Sequence, residues 1–199
     1  YNSSLDDDRR FDRVAYSLRA NVESSGNLLY LATSAINAPK NSDGQYTFLN
    51  IAYAQYVKGD IALTTRVKID SRNSIVMHMG LGIAYPYGNS RILPFEKRYF
   101  SGGANGMRGW TVRTLGPGSY RSKGSNIDFI NQSGDMKLDL NVEYRSHLFW
   151  RLHSAVFVDA GNIWTLRSYK EQPGGQFAFG RFYKELAFSY GLGVRLELD

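Results

Sequence analysis

No cysteine occurs among the 199 residues, which removes disulfides, thiol nucleophiles and cysteine-ligated zinc together. No apolar run reaches the roughly eighteen residues that a membrane-spanning helix needs. Basic residues are not gathered either: the net charge is +6, yet Lys and Arg alternate with Asp and Glu along most of the chain. Nucleic-acid binding is therefore not expected, because phosphate contacts require cations collected on one face. The opening residues, YNSSLDDDRRFDR, lack the basic patch and apolar stretch of a signal peptide. The expectation is that a signal has been removed or that the chain is an internal piece of a longer one.

Catalytic signatures are missing as well. There is no Gly-x-Ser-x-Gly elbow, and the histidines at 78, 147 and 153 lack the helical i, i+4 pairing of a zinc protease. His147, Ser154 and Asp159 do not make a triad, because Ser154 and Asp159 fall on opposite registers of one strand. The loop glycines are followed by no Gly-Lys-Ser or Gly-Lys-Thr, and Ser-Lys-Gly at 122–124 has the order reversed. No enzyme activity, metal or cofactor is expected.

What is present is a period of two. From 136 to 148 one face reads Met136, Leu138, Leu140, Val142, Tyr144, Ser146, Leu148 and the other Lys137, Asp139, Asn141, Glu143, Arg145, His147. The same split recurs at 186–198 and 75–85, and the segments 14–22, about 53–69 and 152–160 follow it. Six segments this long exceed the five or six residues usual in soluble strands and suit the roughly nine to eleven of a tilted membrane strand. Connections alternate too: 24–52, 87–133 and 162–185 are long, whereas 70–73 and 149–151 are short. Outer-membrane barrels show this asymmetry, with turns toward the periplasm and loops outside. Tyr85, Tyr87, Phe149, Trp150, Trp164 and Phe182 gather near strand ends, as an interfacial aromatic belt does. A soluble antiparallel sandwich also alternates, and it is the competing fold. Six antiparallel strands do not close a bacterial barrel, so residues 1–199 are read as one partial barrel domain, with further strands supplied from elsewhere.

The stretch FEKRYFSGGANGMRGWTVRTLGPGSY in the long loop 87–133 resembles the bacterial surface-antigen family of outer-membrane barrels, the family of BamA/TamA-type assembly factors and two-partner secretion transporters. That family carries an Arg-Gly-aromatic motif on an extracellular loop that folds back into its barrel. FVDAGNIW at 157–164 and FSYGLGVRLEL at 188–198 are similar to its later strands. Met107 and Trp110 stand where the family more often has Val and Phe. The resemblance implies strands nine to fourteen of a barrel of about sixteen. It also implies a bacterial outer-membrane location and a role in inserting client barrels. Outer-membrane lipid, unfolded clients and periplasmic or lipoprotein accessory subunits are the implied partners. A secretion transporter of the same family and a passive porin are the alternatives.

The residues say something independently. Gly102, Gly103, Gly106 and Gly109 let backbone approach backbone around Arg108 and Trp110. Arg108 presents a planar fork that a carboxylate meets twice. Glu143 and Asp159, on the polar registers of their strands, are its candidate partners, and the resemblance implies the same pairing. The loop arginine is thus expected to act as a latch on the inner wall.

Overall fold

The computed structural model describes residues 13–104, 106–122 and 130–196. In chain order its elements are β1 (Val14–Ser25), α1 (Asn27–Ala35), β2 (Thr47–Phe48), β3 (Ile51–Ala52), β4 (Tyr56–Lys68), β5 (Asn73–Pro86), β6 (Met136–Phe149), β7 (Leu152–Trp164) and β8 (Ala187–Leu196). Single-turn 3-10 helices sit at Phe95–Lys97 and Phe182–Lys184. The six long strands form one sheet in the order β1-β4-β5-β6-β7-β8, every neighbouring pair antiparallel. The predicted strand at 186–198 runs past the described residues at its end.

Exposure along these strands is the inverse of a soluble sheet. On one face Val142, Val156, Leu192 and Tyr190 are exposed, Tyr190 by 87%, while on the other Asp139, Glu143 and Asp159 are buried, Asp159 at 0%. An apolar face turned outward and a polar face turned inward is the pattern of a membrane barrel wall, because lipid accepts the side chains that water rejects. The soluble sandwich, with its dry interior, is excluded by this inversion. The chain is all-β apart from α1 and the short turns, and no helix among the described residues is long and apolar enough to cross a membrane.

Two features depart from the sequence reading. Trp164 does not join an aromatic belt: it is fully buried, with Phe177 and Phe182 edge-on at 5.6 and 6.4 Å and its indole N–H donated to Glu185 at 2.8 Å. Strand β7 continues four residues beyond the predicted Ala160, so Trp164 lies under the 165–186 loop rather than at a lipid boundary. The long connection after β1 is also structured, containing α1 and the β2–β3 hairpin. That hairpin turns on Leu49 and Asn50, both with left-handed φ, of 51° and 64°. A primed two-residue turn needs this backbone, and leucine disguises it.

Candidate functional site

The described part of the loop joining β5 to β6 lies against the inner face, and two of its attachments there are built on polar and charged side chains. The first involves β1, β4 and β5. Tyr99 donates to Asp60 Oδ1 at 2.6 Å and exchanges two backbone hydrogen bonds with Gly134, both at 2.8 Å. Burial, then the Asp60 contact, pushes the Tyr99 hydroxyl well above the usual phenol range. A Cβ at position 82 would lie 2.5 Å from the Tyr99 ring, so Gly82 leaves the space in which that ring sits. Beside it, Lys97 reaches Glu23 at 2.5 Å, Tyr56 donates to the same carboxylate oxygen at 2.5 Å, and Lys58 lies 4.2 Å over the Tyr99 ring. Tyr56, Ala84, Leu93, Tyr99 and Ile163 form the apolar cluster between loop and wall.

The second fastening is Arg108. Its Nε and Nη2 donate to the two oxygens of Asp159 at 2.9 and 2.6 Å, and its backbone N–H reaches Oδ2 at 3.1 Å. Nη1 donates to Glu143 Oε2. The guanidinium lies 3.6 Å from the centre of the Phe157 ring, a cation–π contact that closes its remaining face. Asn141 splits its amide between Asp159 Oδ1 and the Gly106 carbonyl, both at 2.8 Å, and Ser189 donates to Asp159 Oδ2 at 3.3 Å. Five donors thus surround the fully buried Asp159 carboxyl group. Glu143 is shared further: Arg145 and Arg195 both reach Oε1 at 2.7 Å.

The loop is shaped to deliver that guanidinium. Gly103 donates to the Trp110 carbonyl at 2.8 Å, Trp110 to the Met107 carbonyl at 3.1 Å and Arg113 to the Ser101 carbonyl at 2.9 Å, so 101–104 and 106–113 fold together into a compact tip. Gly102 sits at φ 99°, and a Cβ there would strike the Thr111 carbonyl oxygen at 2.2 Å. At Gly109 a Cβ would come within 2.5 Å of Ser189, so this glycine sets how closely the tip approaches β8. Gly106 presents its carbonyl to Asn141, and Met107 is fully buried. Trp110 contributes chiefly backbone: its side chain is half-buried, and its indole nitrogen has no partner among the described residues.

Register explains what the sequence shows and what it conceals. Across the sheet His78, Asn141, Asp159 and Ser189 form one inward row, and Val76, Glu143, Phe157 and Gly191 the next. Arg108 meets both rows at once. Asn141, Phe157, Arg145 and Arg195 are members that sequence reasoning misses. Their inward registers are readable, but their alignment across strands is not. The Tyr99–Asp60 fastening is missed altogether, although Gly82 opposite Asp60 marks it. Ser154 and Asp159 stay apart, with the Ser154 hydroxyl donating to the Ser146 carbonyl at 3.4 Å. His78 Nδ1 is 2.9 Å from the Thr64 hydroxyl.

A model of the Omp85 superfamily domain matches residues 19–198. Over 96 residues the chain is 28% identical to the outer membrane protein assembly factor BamA of Neisseria meningitidis serogroup B (strain ATCC BAA-335 / MC58), a match covering 46% of this chain and 12% of that protein. The structure is similar to that of BamA from Haemophilus ducreyi lacking POTRA domains 1–3, with a TM-score of 0.50 and 16% identity, covering 92% of this chain and 45% of that one. The latter likeness concerns the fold alone. The chain spans less than half of either relative.

Proposed function

The chain belongs to the Omp85 superfamily and to the bacterial outer membrane, and from that premise we propose that it is the latched part of a barrel that inserts and folds other outer-membrane proteins. In this reading residues 1–199 are one portion of the barrel domain, and the loop 87–133 with Arg108 holds its wall in the working shape. Assembly requires no covalent chemistry. A client strand in lipid carries unpaired backbone groups, each costing several kcal/mol, and a barrel that lends strand edges at a seam satisfies them while the client closes. A wall that yields at one seam must be stiff elsewhere.

The observation that carries the reading is the five-donor cage around Asp159, which ties a loop tip to β6, β7 and β8. Stiffness follows from its energetics: removing one member of a buried ion pair costs about 3–5 kcal/mol, since the other charge is left without a partner. The test is the full-length protein reconstituted in vesicles with an unfolded client barrel. Arg108→Ala is expected to slow client insertion at least about tenfold and to open the loop to protease. Wild-type insertion together with wild-type protease resistance refutes the latch.

A further inference from the structure

The cations of the inner wall are not all engaged by the loop. Toward the short-turn end a cavity of about 610 Å³ is lined by Arg66 and Lys68 of β4, Arg145 and His147 of β6, His153 of β7 and Arg195 of β8. Pairing places them on the inner register: Lys68 lies opposite Ser74 and Ser74 opposite Arg145, while His147 lies opposite His153 and His153 opposite Arg195. The two imidazoles meet edge-on at 4.9 Å, and His147 Nε2 is 2.7 Å from the Trp150 carbonyl. With strands about 4.8 Å apart, the line from β4 to β8 is about 19 Å long.

Its charge is unbalanced. Arg145 and Arg195 share one oxygen of Glu143. Asp70, in the adjoining turn with Arg72, is occupied locally: it accepts from the Arg72 and Asn73 N–H groups at 2.7 and 2.8 Å and from the Asn73 side chain at 2.8 Å. The Asn73 side chain, then the Arg72 N–H, holds that carboxyl below its usual range. Arg66 and Lys68 have no acidic partner among the described residues.

We propose that this end of the inner wall binds an acidic polypeptide segment. An extended chain advances about 3.3 Å per residue, so roughly six residues cover the line and alternate side chains reach its cations. One phosphate covers one or two of them. A headgroup of the surrounding bilayer is also on the wrong side, because Val67, Ile75, Tyr144, Val156 and Leu192 form the outward row of the same strands. The inference rests on the barrel reading above only in taking the short turns as the periplasmic mouth, where unfolded chains arrive.

The experiment uses the full-length protein in nanodiscs of zwitterionic lipid. Fluorescent peptides of about ten residues, alternating Glu-Ser or Gln-Ser, are titrated by anisotropy. The Glu-Ser peptide is expected to bind at least about tenfold tighter, with the advantage shrinking as salt rises. Arg66→Gln with Lys68→Gln is expected to remove most of that advantage while heat-modifiable migration of the folded barrel persists. Equal binding of the two peptides to the wild-type protein overturns the proposal without reference to any variant, and so does undiminished binding by a folded double variant. Displacement by inorganic phosphate beyond that by chloride at equal ionic strength overturns it in favour of a phosphate ligand. Displacement by phosphatidylglycerol in the nanodisc does so in favour of lipid. Among the described residues neither Arg66 nor Lys68 is bonded to the loop, so absent peptide binding with an intact Arg108 effect sinks this inference alone, and the converse result sinks the latch alone.

Discussion

A guanidinium differs from an ammonium in what it holds at once, and position 108 uses the difference. Three of its nitrogens and the backbone N–H reach two carboxylates on two strands, while the ring of Phe157 closes the face. Arg108→Lys keeps the charge and loses the fork. It is expected to retain only part of the protease resistance of the loop, between wild type and Arg108→Ala, as read by limited proteolysis of the full-length protein. Glycine makes a separate prediction. Gly109→Ala drives a methyl to within 2.5 Å of Ser189 Cβ, an overpacking that costs about 1–3 kcal/mol. Because the clash is with Cβ, Ser189→Ala should not relieve it and Ser189→Gly should. The temperature at which heat-modifiable migration is lost reads both variants, and equal rescue by Ala and Gly defeats the steric account.

In the proposed reading the loop as an element acts as a strap, and two of its fastenings lie on different strands. Tyr99 is held by Asp60 on β4, and Arg108 by β6 and β7. Tyr99→Phe leaves Asp60 without its 2.6 Å donor, a loss of about 1–3 kcal/mol when an acceptor stays unpaired. Releasing one of these fastenings leaves the strap held at the other and by the Gly118 bonds to Ile163 and Asn162 of β7. Loop proteolysis in the Tyr99→Phe, Arg108→Ala double variant is therefore expected to exceed the sum of the single variants, and simple additivity counts against a strap. The β2–β3 hairpin offers an independent check, since Leu49 occupies a left-handed backbone that costs an L side chain about 1–2 kcal/mol. Leu49→Gly should slow nicking of that hairpin, and faster nicking would show that the strain is absent.

For the whole molecule the decisive property is which face meets lipid. Leu192, exposed by 83% on the outward row of β8, is expected to tolerate no charge. Leu192→Arg should cost about 2–4 kcal/mol near the bilayer midplane and lower the yield of folded barrel in vesicles. Single-channel recording tests the strap in the same setting. In the completed barrel that the proposed reading implies, a loop packed on the inner wall narrows the lumen, so Arg108→Ala should raise conductance or add open events, and an unchanged trace would mean that the tip stays seated without its arginine.

All six long strands, the short turns at one end and the inward registers of Glu143 and Asp159 are legible in the residue order. A pleated chain sends alternate side chains to opposite faces, so composition along one strand names its faces without knowledge of any other strand. Helix α1 and the leucine-bearing hairpin turn are not legible, because their local signals are weak and their conformations are held by neighbours such as Tyr53, whose hydroxyl meets Thr33 at 2.7 Å. Nor does the order of residues say that Trp164 is roofed by its own loop, that Gly82 makes room for Tyr99, or that two carboxylates sixteen positions apart meet one guanidinium. Those facts depend on the stagger between strands and the path of a long loop, which are set by long-range packing and decided only when the wall is assembled.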